Sequence, residues 1–142
     1  MTRKNFDCVN SKNFIPILNS CAPKVIHKFA GDHALGGTRT GTPILKLWFE
    51  RLQRILPNLH LKILNIWVKG LPSDTTIIVR WKATATLADG SPYFNHGVHI
   101  ITMKWGKVYE LDVSEDPQAV AKALVKQAAS GIGEALAQKI EN

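Results

Sequence analysis

With 142 residues, 45% apolar and 20% charged, the chain has the length of one domain and the composition of a soluble globular protein. Its net charge of +7 is spread along the sequence apart from a modestly basic N-terminal end, with no Lys/Arg run and no basic-aromatic signature, so nucleic acid is not the expected partner. No apolar run is long enough for a secretory signal or a membrane span, and Cys8 and Cys21 lack metal-ligand spacing. They read as reduced thiols of a cytoplasmic protein, with one disulfide as the alternative.

The first predicted element is a short helix at "NFIPIL", interrupted by Pro16. A strand at "KVIHKF" (24–29) follows and is expected at a sheet edge. The stretch "GDHALGGTRTG" (31–41) then places Gly31 and Gly36 at the spacing of a phosphate-cradling loop, but Gly37 stands where that loop has its Lys. It is therefore read as a rim loop, rich in glycine because its backbone needs unusual angles. In "TPILKLWFERLQRILP", Thr42 suits an N-cap, Pro43 the first helical position and Pro57 the stop. Leu45, Trp48, Phe49, Leu52, Ile55 and Leu56 fall on one face of this helix, while Glu50 and Arg54 stand at a spacing that can pair.

Residues 59–113 divide into four strands at turns over 70–74, 89–92 and 105–107, the pattern of an antiparallel meander. In "TTIIVRWKATATL", Ile77, Val79, Trp81, Ala83 and Ala85 share a face. In "PYFNHGVHIITMKW", Tyr93, Asn95, Gly97, His99, Ile101 and Met103 do the same. A long amphipathic helix from Asp116 to Ile140 closes the chain, kinked or split at Gly131 and Gly133. The order of elements predicts a single α+β domain over residues 1–142, with helices on one face of a mostly antiparallel sheet.

The segments "HKFAGDHALGGTRTG" leading into "LKLWFERL", then "VRW", "DGSPYFNHGVHII" and "WGKVYELDVSED", resemble the nuclear transport factor 2-like superfamily, in particular its SnoaL-like and ketosteroid-isomerase-like members. The resemblance implies a cone: a strongly bent, mostly antiparallel sheet wrapped around an amphipathic helix, with an added C-terminal helix. It also implies a small-molecule pocket, for an apolar or polyketide- or steroid-like compound, and commonly a homodimer. Trp81, Asn95, His99 and Trp48 are the expected pocket residues, with Asp32 and His33 on a loop at its mouth.

For chemistry, the resemblance puts Asp116 where SnoaL-like polyketide cyclases often carry an acid/base Asp, and His99 is the second candidate. "EDPQA" is equally a helix start with Asp116 as its cap, and both readings of Asp116 stand. His99 and Asn95 have a structural reading too, as hydrogen-bonded core residues. The histidines show no metal spacing, and neither a metal nor a cofactor is expected. Two functions follow: acid/base isomerisation, cyclisation or dehydration without metal, or non-catalytic ligand binding and dimerisation on the same fold.

Overall fold

The computed structural model describes residues 2–142. Helices α1 (Thr2–Asn10) and α2 (Ile15–Ser20) lead into strand β1 (Cys21–Phe29), and a short strand β2 (Gly37–Thr40) precedes helix α3 (Thr42–Ile55). Four long strands follow: β3 (His60–Leu71), β4 (Asp74–Thr86), β5 (Pro92–Lys104) and β6 (Lys107–Glu115). Helix α4 (Pro117–Ala129) and a 3-10 turn at Gly133–Leu136 end the chain. The strands make one strongly curved, unclosed sheet in the order β2-β1-β6-β5-β4-β3. This is the anticipated α+β arrangement.

β3 to β6 pair antiparallel, each with the next, as short turns require. β1 is not the edge that its sequence suggested. It runs parallel to β6 on one side and antiparallel to β2 on the other. The edge is β2, within the second half of the glycine-rich stretch, so residues 31–36 of that stretch are the loop. Gly36 is required there because a Cβ would collide with the Gly31 carbonyl, where the loop folds back on itself.

Alternation along β4 and β5 sends Val79, Trp81, Ala83, Tyr93, Ile101 and Met103 inward, against the apolar stripe Leu45, Trp48, Phe49, Leu52 and Ile55 of α3. Gly41, rather than Thr42, occupies the cap of α3, and Leu45 N–H donates to its carbonyl at 3.1 Å. Arg54 pairs with Glu134 at 2.6 Å instead of with Glu50. α1 was not anticipated. Its Phe6 joins the core, and Asn10 clasps the backbone of Leu61 in β3 through both amide atoms, at 2.9 and 2.7 Å.

The C-terminal segment breaks at Gly131, whose φ of 102° no helix accommodates. The chain beyond the 3-10 turn then reaches β2: Thr38 N–H donates to the Glu141 carboxylate and Thr40 N–H to the Asn142 side chain. The last residues thereby cover a strand edge that would otherwise stand open. Among the described residues no helix is long and apolar enough to cross a membrane.

Candidate functional site

Strand register stacks the inward side chains in rows. Trp81, Gly97 and Glu115 form one row, Val79, His99, Val113 and Phe29 the next, and Ile77, Ile101, Leu111, His27 and Arg39 a third. Between these rows and the α3 stripe lies a cavity of about 100 Å³, walled further by Phe6 and Val9 of α1. For scale, an engineered apolar cavity of ~150 Å³ admits benzene. The lining is apolar apart from a few side chains, chiefly His27, His99, Tyr93 and Glu115, and it contains no Lys or Arg.

One of these polar side chains, His99, is fixed by its neighbour. Trp81 Nε1–H donates to His99 Nδ1 at 2.6 Å, and an indole can only donate. His99 is therefore the tautomer with its proton on Nε2, and burial pushes its pKa down to about 4. The imidazole is neutral at physiological pH. Gly97 makes this geometry possible: a Cβ there would lie inside the Trp81 ring, so only glycine lets the indole lie across its strand partner.

Glu115 is the unexpected member. Its carboxyl lines the cavity, and no cation or hydrogen-bond donor of the described residues reaches it. Burial, reinforced by the adjacent Asp116 charge, pushes its pKa up to about 8. At neutral pH it is mostly a neutral acid in apolar surroundings. The Tyr93 hydroxyl also lines the cavity and accepts from Asn95 Nδ2 at 3.0 Å, which leaves its own proton free to donate. Burial and the nearby Glu115 both raise the Tyr93 pKa.

The residues singled out from sequence separate into two groups. Trp81, His99 and Trp48 line the cavity, Trp48 with its indole N–H on the Leu35 carbonyl at 2.8 Å. Asn95, Asp32, His33 and Asp116 do not. Asn95 is buried but committed to structure: it bonds the Tyr93 hydroxyl, the Asp116 carbonyl and the Asp116 N–H, so no polar atom remains to orient a ligand. Asp32 is exposed and paired with Lys139 at 3.0 Å, and His33 accepts from Leu35 N–H. Both line a separate groove against the C-terminal segment rather than the cavity.

Asp116 caps α4, its carboxylate accepting from Gln118 N–H at 3.0 Å, and it is exposed. The cap reading describes its geometry, and the carboxyl inside the cavity is that of its neighbour. The sequence reading missed both His27 and Glu115 as lining residues. Period-two alternation through Leu111, Val113 and Glu115 was the available signal for the second. Among the described residues no cluster of three or more His, Cys, Asp or Glu side chains converges as a metal site.

Comparison with known proteins agrees with this architecture. The profile of the SnoaL-like domain matches residues 2–111. No curated protein matches at the sequence level. Among solved structures, PrhC from Penicillium brasilianum superposes with a TM-score of 0.78 at 16% identity, over 94% of this chain and 89% of its own. TerC, crystallised with polyporic acid, gives a TM-score of 0.73 at 20% identity, over 84% of this chain and 91% of its own. An NTF2-like protein of unknown function from Burkholderia pseudomallei gives 0.72 at 15%, over 86% and 92%. At these identities the likeness shows the fold alone.

Proposed function

The chain belongs to the SnoaL-like domain family, and from that membership and the cavity we propose that it binds a small, largely apolar molecule and moves a proton on it. The carrying observation is Glu115: an unpaired carboxyl whose pKa of about 8 sits near physiological pH, inside an apolar cavity. A group so poised gives and takes a proton with little driving force either way, which suits acid/base work. His99, one register row away, and Tyr93, near enough for the Glu115 charge to raise its pKa, offer neutral donors for a carbonyl or hydroxyl oxygen. Isomerisation, cyclisation and dehydration all suit this set of groups, and none of them needs a metal; a cavity of about 100 Å³ takes a small ring or one end of a larger polyketide- or steroid-like compound. The polyporic acid crystallised with TerC supports a small-molecule ligand.

The alternative, a non-catalytic binding module, differs in one measurable respect. Cyclohexanone incubated with the protein in deuterium oxide should exchange its α-hydrogens faster than in buffer. Glu115→Gln should lower that acceleration about 100-fold or more while cyclohexanone still perturbs tryptophan fluorescence. Binding without accelerated exchange in the parent protein would select the module instead.

A second copy of the chain is the proposed partner. The outer sheet face carries Trp67, Ile78 and Ile100 in one register row, 51%, 36% and 43% exposed. Light scattering at micromolar concentration should report twice the monomer mass, and Trp67→Glu should halve it. A monomer mass for the parent chain would refute the pairing.

A further inference from the structure

The cavity has a polar group that the acid/base reading leaves unused. His27, 2% exposed, projects from β1 beside Trp48. Its Nδ1 meets the Nη1 of Arg39, which is 1% exposed. We propose that His27, backed by Arg39, is the binding point for an ionised phenolic or enolic oxygen of the ligand. The proposal rests on the cavity being a small-molecule site.

A guanidinium only donates, so His27 Nδ1 must accept, and the single ring proton stands on Nε2. His27 lines the cavity, so that N–H is the polar edge it offers there. Protonation of the ring is opposed by burial, by Arg39 and by His99, which together hold its pKa well below the ordinary value. His27 is thus a donor at any physiological pH and cannot become an acceptor.

Arg39 then supplies charge. Its other nitrogens donate to the Gly36 carbonyl at 2.7 Å and the Ile140 carbonyl at 2.8 Å, and its guanidinium lies 5.5 Å from the Trp48 ring centre. Burial lowers even this guanidinium's pKa, to about 10. The nearby charges are Glu141, whose carboxylate already accepts from Thr38 N–H, and the cation Arg51. Arg39 makes no ion pair among the described residues. Buried cations ordinarily have a paired counter-charge; Glu141 acts on Arg39 without pairing with it, and His27 connects the guanidinium to the cavity. An oxyanion held on Nε2–H would meet a donor strengthened by the charge behind it.

Glu115 lies at the other end. His27 stands opposite Leu111, and four residues of β6, about 13 Å of strand, separate that position from Glu115. The two poles therefore select different parts of a ligand: an ionised oxygen near His27, and a neutral carbon or oxygen acceptor near Glu115. A ring without an ionisable hydroxyl would gain nothing from the first pole.

4-Nitrophenol tests this, because its ionised and neutral forms differ in colour. Bound to the parent protein it should ionise at a proton concentration about tenfold higher than when free, a shift of one pH unit or more. His27→Leu should abolish that shift. His27→Gln, whose amide can accept from Arg39 and still donate inward, should retain much of it. It also guards against a folding defect in the leucine variant. Nitrogen-15 spectra of the parent should show a His27 ring protonated on Nε2 that responds to the probe, and in Arg39→Met a mixture of tautomers. Binding of the neutral phenol, an unchanged shift in His27→Leu, or a response confined to Tyr93 and Glu115 would overturn the inference while leaving the small-molecule reading intact. Absence of any binding at millimolar probe would overturn both.

Discussion

Glu115→Gln should make the protein more stable at high pH, and the size of the effect follows from the cavity. In the unfolded chain this carboxyl titrates at its ordinary value of 4.5, and in the folded protein at about 8. Between those values the folded state binds the proton that the unfolded state has released, so stability falls as pH rises through the interval. Below 4.5 both states are protonated and the contribution is fully present; above 8 it is fully lost. An interval of 3.5 pH units at 1.36 kcal/mol each gives about 5 kcal/mol as a ceiling. Water entering the cavity beside the ionised group recovers part of that, so a loss of about 2–4 kcal/mol is expected. The glutamine variant keeps the shape and cannot ionise, so its stability curve should lack this decline. Urea unfolding of both proteins at pH 5, 7 and 9 measures the difference directly. Near pH 5 the two should agree within about 1 kcal/mol, and by pH 9 the variant should be ahead. A stability difference independent of pH would refute the reasoning, since it would mean that Glu115 ionises in water.

Gly97→Ala should push the Trp81 indole away from its strand and break the hydrogen bond to His99, at about 1–3 kcal/mol by urea titration; unchanged stability and unchanged tryptophan emission would show that the ring has room. Asp116→Ala should cost about 0.5–2 kcal/mol as the loss of a helix cap and leave α-hydrogen exchange on cyclohexanone intact. If exchange collapses in that variant instead, Asp116 and not Glu115 carries the proton.

Much of the fold is legible because it is written as periodicity. β4 and β5 are long enough for alternation to repeat several times, and α3 carries a full apolar stripe, so tertiary context only reinforces the local pattern. The elements that escaped are those whose stability comes from elsewhere. α1 is mostly polar and offers Phe6 and Val9 as its apolar face; it is held by those contacts and by the Asn10 clasp on a strand 51 positions away. β2 is four residues long in glycine-rich surroundings, and it exists because β1 pairs one edge and the C-terminal residues bond the other. No local propensity encodes either arrangement.

The site divides along the same physical line. Trp81 and His99 were placed together by counting every second residue on adjacent strands, a rule that needs only register. His27 required knowledge that β1 lies inside the sheet, and Arg39, on the edge strand β2, is buried where the C-terminal residues cover that edge. The Glu115–Asp116 pair turns on a single bond. Strand geometry persists through Glu115 and keeps its side chain on the inward side, whereas Pro117 starts a helix and commits Asp116 to capping it. The Asp116 carboxylate caps the helix and accepts from the Gln118 N–H. One residue earlier, the same functional group has no donor among the described residues, and burial pushes its pKa up to about 8. The end of a strand leading into a helix thus presents two adjacent carboxyls in different surroundings, one on the helix cap and one lining the cavity. The one suited to proton transfer is the one that the strand still controls.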